Sequence, residues 1–145
     1  MDTPKVLPVV EPANQKAKFH HPNLPKVDVG VAGGGALVLM LSPVKTGKST
    51  IISNLFLNPN FYGQYFFDDV QILSNTIAND ISSRFMKKAF NTTDHYSDAV
   101  IDKLIKRQYD AEPEDRLEMA LILDDCLGSI KRESKINHLA SRYRH

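Results

Sequence analysis

Three short runs that read as strands mark the chain between residues 36 and 123, separated by stretches in which apolar side chains return every three or four positions. The first, Ala36 to Leu41 (ALVLML), follows Gly33-Gly34-Gly35 and is short and unbroken, which predicts a strand buried on both faces of a parallel sheet. After a polar interval, Ile51, Ile52, Leu55 and Phe56 recur at helical spacing behind Ser49 and Thr50, and Pro59 ends the pattern. Asn58-Pro59-Asn60 with Gly63 predicts a turn. Tyr65 to Ser74 then supplies a second strand, centred on Asp69 to Leu73.

Asn75 or Thr76 is placed to cap the next helix, with Ile77, Ile81 and Phe85 on one face and Arg84, Lys87 and Lys88 near its end, where cations suit the helix dipole. Asn91 to Asp94 reads as a polar break. Ser97 caps a further helix whose apolar face is Val100, Ile101, Leu104 and Ile105, running to about Gln108. Ala111 to Arg116, acidic and holding Pro113, is a loop by composition. Leu117 to Asp125 contains the third run, Met119 to Leu123, and Gly128 to His145 reads as a last helix with Ile136 and Leu139 inward and Lys131, Arg132, Lys135, Arg142 and Arg144 outward. Strands separated by helices predict an α/β fold, three layers deep, with a parallel sheet of three or more strands.

A length of 145 residues suits one domain. Residues 1–35 hold Pro4, Pro8, Pro12, Pro22 and Pro25 and few large apolar side chains after Val10, so they read as a flexible or extended arm ahead of a domain at 36–145. Lys5, Lys16, Lys18, Lys26, His20 and His21 make the arm mildly basic; a plain linker and an arm touching DNA or a neighbouring subunit both fit. Val27 to Val31 suits a short edge strand, and His20-His21 has no companion at metal-ligand spacing. The net charge of +1 gives no overall pull toward nucleic acid. A single cysteine, Cys126, excludes an internal disulfide and fits a reducing compartment. No apolar run approaches the ~20 residues that span a bilayer, and no signal peptide is legible, so an intracellular protein without a membrane span is expected.

The polar interval after Leu41 carries the first chemistry. Ser42-Pro43-Val44-Lys45-Thr46-Gly47-Lys48-Ser49 follows the phosphate-binding pattern G-x-x-x-x-G-K-[ST] except at its first position, where Ser42 stands for glycine and takes the turn only at negative φ. A strand, a loop and a helix N-terminus in that order form a concave array of N–H donors aligned with the helix dipole, suited to a triphosphate. In such a loop Gly47 lets the backbone approach the phosphates, Lys48 reaches the β- and γ-phosphate oxygens, and Ser49 puts its hydroxyl on Mg²⁺. Lys45 adds a second cation, and Thr50 completes the binding segment as a helix residue. The competing reading is a polar turn between strand and helix that contains Gly-Lys-Ser by chance.

Far downstream, the run Met119 to Leu123 ends in Asp124-Asp125. In an open parallel sheet ligands bind at the carboxyl ends of strands, which is where both the loop after Leu41 and this acidic pair would lie. There Asp124 would hold Mg²⁺ through a water, and Asp125 would orient or activate the attacking water as a catalytic partner of Lys48. The competing reading is a turn after a buried strand.

With Ser42 to Thr50, Leu121 to Cys126 and Ser141-Arg142-Tyr143-Arg144-His145 in view, the chain resembles the genome-packaging ATPases of large DNA viruses, poxvirus-type members of the FtsK-HerA group of P-loop NTPases. The likeness runs from about Val38 to His145 and takes in the polar step at Val70 to Asn75. The resemblance implies ATP hydrolysis coupled to threading double-stranded DNA into a preformed capsid by a homo-oligomeric ring, with capsid or portal components as partners and the host cytoplasm or the virion as location. It implies Lys48 and Ser49 as phosphate and Mg²⁺ contacts and Asp124-Asp125 as the acidic pair; many relatives carry Glu at the second position. It also implies a further strand beyond His145, between the loop strand and the Asp-Asp strand, so the sheet is expected to be incomplete at its C-terminal end. Two rivals stand beside the motor: a small P-loop kinase, in which the two strands would pair directly, and a non-catalytic relic or interaction protein keeping a nucleotide site.

Overall fold

A computed structural model describes residues 37–142. The expected arm at 1–35, the edge strand at Val27 to Val31 and the last three residues lie outside them. Three strands, β1 (Asp69–Ser74), β2 (Asn91–Thr93) and β3 (Met119–Asp124), form an all-parallel open sheet in the order β2-β1-β3. Helices α1 (Lys48–Leu57), α2 (Arg84–Ala89), α3 (Asp98–Asp110) and α4 (Lys135–Arg142) accompany it. The α/β expectation holds at that level.

The sheet sorts the apolar side chains by strand alternation. Val70 and Ile72 of β1 are buried on one face with Leu57 of α1, Phe67, Ile77 and Met86 of α2, and Ala120 and Ile122 of β3 pack against them. Leu73 faces the other way, into a cluster with Ile101 of α3 and Cys126, joined by Leu121 and Leu123 of β3 and by Ile136 and Leu139 of α4. Leu73 and Ile101 are fully buried, each contributing about 1.5–3 kcal/mol by removal from water. Helices thus cover both faces of the central strand.

Local sequence explains the element ends. Ser97 caps α3 as expected, its Oγ accepting from the Val100 N–H at 3.4 Å. The first N–H groups of α4 are met from outside the helix: Lys135 N donates to Asp98 Oδ1 at 2.8 Å and Ile136 N to the Tyr96 hydroxyl at 3.4 Å. The Tyr96 hydroxyl in turn donates to Asp98 Oδ1 at 2.6 Å, locking α4 onto the start of α3. Asn58 closes α1, its Oδ1 accepting from Asn60 N in a turn on which Pro59 stops the helix.

Three expectations are corrected. Residues 37–41 form no strand, and Leu37, Val38, Leu39 and Leu41 are 60 to 78% exposed. A strand is a state of pairing, and no described strand bonds to this stretch, so apolar composition alone does not make it one. The polar break at Asn91 to Asp94 instead contains β2, paired in register Gln71↔Asn91 to Leu73↔Thr93. Polar residues are accepted there because β2 is an edge strand, and Asn91 and Thr93 bond across to Asp69 and Gln71. The helix after β1 starts later than expected: a turn and a 3-10 segment at Ile81–Ser83 precede α2. Asn79 N and Asp80 N both donate to Thr76 O, and Ser83 Oγ donates to Asp80 Oδ2 at 2.6 Å. That changes the phase of the helix, so Met86 is buried while Ile81 and Phe85 are exposed.

Candidate functional site

The loop at residues 42–47 enters α1 through two left-handed residues, Lys45 at φ 62 and Gly47 at φ 89. Gly47 is the N-cap, and its carbonyl accepts the first helical bond, from Ile51 N at 2.9 Å. Only glycine takes φ near 90° without strain, and a Cβ there would meet nothing within 4 Å, so the requirement is conformational and the space above the residue is open. Thr46 Oγ1 donates to the Pro43 carbonyl at 2.7 Å and ties the turn to itself. Ser42, Pro43, Val44, Lys45 and Thr46 are all exposed. The helix N-terminus has no side-chain cap and no acidic residue in its first turn, so nothing of its own offsets the positive end of the dipole. A loop of this backbone type, opening onto such a terminus, favours an anion.

The carboxyl end of the sheet meets this loop. Lys48 Nζ lies 3.0 Å from Asp124 Oδ1, joining the first residue of α1 to the last residue of β3. Asp124 is 13% exposed and Lys48 34%, so the pair is partly withdrawn from water. Behind it is a small cavity between α1 and the sheet, walled by Ser49, Ser53, Ser74, Ser83 and Asp124 among apolar side chains that include Ile72 and Ile122. Ser53, one turn beyond Ser49, has a buried Oγ without a hydrogen-bond partner. Its neighbourhood therefore has acceptor and donor capacity to spare. Among the described residues no group of three or more His, Cys, Asp or Glu side chains gathers as a metal site.

Of the residues singled out from sequence, Lys48, Ser49 and Asp124 are brought together. Thr50 is exposed on α1, where its carbonyl accepts from Asn54 Nδ2. Asp125 is exposed just past the strand, at φ 54. Cys126 is buried and its thiol donates to the Leu73 carbonyl at 3.2 Å; burial pushes its pKa up, so this sulfur stays a neutral packing group. Asn75, read from sequence as a helix cap, bonds instead across the strand ends, Nδ2 donating to the Asp125 carbonyl at 2.8 Å. Only the β1–β3 register, which sets Ser74 opposite Asp124, makes that pairing visible.

No helix among the described residues is long and apolar enough to cross a membrane. Comparison with protein-family models, with curated proteins and with solved structures finds no match.

Proposed function

We propose that the chain binds and hydrolyses ATP at the junction of the 42–50 loop and the end of β3, as a P-loop ATPase. The observation that carries this is the 3.0 Å approach of Lys48 Nζ to Asp124 Oδ1, which unites two motifs far apart in sequence at one edge of a parallel sheet. The left-handed Gly47 and the uncapped α1 terminus add the donor geometry that a phosphate needs.

Ser49 and Asp124 are the residues that would hold Mg²⁺, which takes one or two protein oxygens and completes its shell with phosphate oxygens and water. Bound there, the ion supplies charge neutralisation on the phosphates. The donor set fits a hard cation: a hydroxyl and a carboxylate wall the same cavity, with the unpartnered Ser53 hydroxyl beside them to hold a coordinated or bridging water. Lys48 serves Asp124 as counter-ion and turns to the β- and γ-phosphate oxygens when they arrive, so the pair exchanges partners at little electrostatic cost. The loop amides of 44–48 and the dipole of α1 bind the phosphate charge, and Lys48 follows that charge as it shifts in the transition state. Asp125 orients the attacking water.

Coupling of that hydrolysis to packaging double-stranded DNA, in a homo-oligomeric ring acting on capsid or portal components, rests on the resemblance carried by Ser42 to Thr50 and Leu121 to Cys126. On the same resemblance the protein would act in the host cytoplasm or the virion. The test is phosphate release from MgATP by the full chain, with and without double-stranded DNA and beside Lys48→Ala. Release abolished by the substitution and raised by DNA is the expected result. Transfer of the phosphoryl group to a small-molecule acceptor would replace the motor with a kinase, and ATP binding without release would leave a non-catalytic nucleotide site.

A further inference from the structure

Strands β1 and β3 end side by side, Ser74 opposite Asp124, so the next residues, Asn75 and Asp125, leave the sheet as neighbours. Asn75 Nδ2 donates to the Asp125 carbonyl at 2.8 Å and to Ser129 Oγ at 3.2 Å. Asp125 stands at φ 54, in the left-handed region that an L-residue enters at a cost. A strand continuing past Asp124 would instead keep φ negative. One residue later the chain is fixed a second time, by the Cys126 thiol donating to the Leu73 carbonyl, and Ser129 N then closes the 3-10 turn onto the Cys126 carbonyl at 2.9 Å.

The unusual backbone of Asp125 is thus clamped from the neighbouring strand, by an amide that is exposed and would be equally well satisfied by water. Such a bond does little for burial. What it does is select one conformation for the residue next to the cation-paired Asp124. Only a donor can grip a carbonyl, so the side chain at 75 has to be an amide or its equivalent; a carboxylate of the same shape accepts only.

We infer that Asn75 is a positioning residue for Asp125: by holding its carbonyl, Asn75 keeps Asp125 in the left-handed turn and so fixes the direction in which the carboxylate leaves the end of β3. Asn75 does not touch substrate. The inference rests on the assignment of Asp125 as the residue that orients the attacking water.

The experiment uses the full chain and measures steady-state MgATP turnover for wild type, Asn75→Asp, Asn75→Ala, Asp125→Ala and the double variant Asn75→Ala/Asp125→Ala. Loss of positioning lowers kcat about 10- to 100-fold in both Asn75 variants with KM within about twofold of wild type. In the Asp125→Ala background, Asn75→Ala then changes kcat by less than about twofold, because the two residues act as one unit. Unchanged kcat, a loss confined to KM, or losses that multiply in the double variant would each overturn the inference. A second readout needs no turnover: backbone chemical shifts and the amide–Hα coupling of Asp125 report a left-handed residue in wild type and its release in Asn75→Asp. An Asp125 backbone unmoved by Asn75→Asp overturns the inference even if ATP is hydrolysed. A wild-type chain that hydrolyses no ATP overturns the ATPase assignment, and the catalytic part of this inference with it, while the backbone readout still decides whether Asn75 holds Asp125.

Discussion

Removing the Lys48–Asp124 pair one partner at a time gives the sharpest energetic test of how the loop and the sheet are joined. At 3.0 Å the Coulomb attraction of two unit charges is about 1.4 kcal/mol in bulk water and about 5.5 kcal/mol at an effective dielectric of ~20. Asp124 is 13% exposed and Lys48 34%, so the lower part of that range applies once solvent screening and the ordering of the lysine chain are taken off. A coupling of about 1–2 kcal/mol remains. It is measured as a double-mutant cycle on Lys48→Met, Asp124→Asn and the double variant, each unfolded by urea with two-state slopes checked for constancy. Raising salt from about 0.1 M to about 1 M should remove only part of the coupling, because partly buried pairs are screened less than exposed ones. A coupling below about 0.3 kcal/mol would show that the contact does not hold the helix start to the end of β3. The convergence on which the site depends would then lack an energetic basis.

Two further outcomes probe the scaffold. The hydrogen bond from Tyr96 and then the Lys135 N–H hold Asp98 below the usual carboxylate pKa; a lowered folded value means the stabilisation is fully present above the unfolded pKa of about 3.9 and fades as pH falls through the folded value. Asp98→Asn should therefore lower the urea midpoint near pH 6 and flatten its fall in acid, whereas a difference that grows below pH 4 would contradict the α3–α4 lock. Met86→Ala should cost about 2–5 kcal/mol and Ile81→Ala under about 0.5 kcal/mol, since Met86 is 3% and Ile81 80% exposed; equal losses in thermal or urea unfolding would restore the helix phase predicted from sequence.

What the sequence made legible was local or strictly periodic. The run Met119 to Leu123 is strand from end to end because each of its residues contributes to a sheet covered on both faces. Ser97 capped its helix, and Ile136 and Leu139 faced inward, because caps and helical spacing act within a few residues. The Gly-Lys-Ser loop opened a helix for the same reason. Pairing was not legible. Residues 37–41 carried a strand's composition without a described partner, while Asn91 to Thr93 had a loop's composition and acquired a partner from β1. The helix after β1 shifted phase through the Thr76–Asp80–Ser83 hydrogen bonds, which outweighed the apolar spacing of Ile77, Ile81 and Phe85. At the candidate site, Lys48, Ser49 and Asp124 were singled out by residue type and spacing, and the fold brings them together. Asn75 was not singled out for the site, since its bond to Asp125 spans 50 positions and exists only through strand register.

Titration calorimetry of the full chain with ATP and Mg²⁺, beside Lys48→Ala and Asp124→Ala, bears most directly on the central claim that these two motifs form one nucleotide site. Saturable binding by wild type, lost or weakened at least about tenfold by either substitution in chains that remain folded, is the predicted result. Binding indifferent to both substitutions, or no binding by the folded wild-type chain, would contradict it.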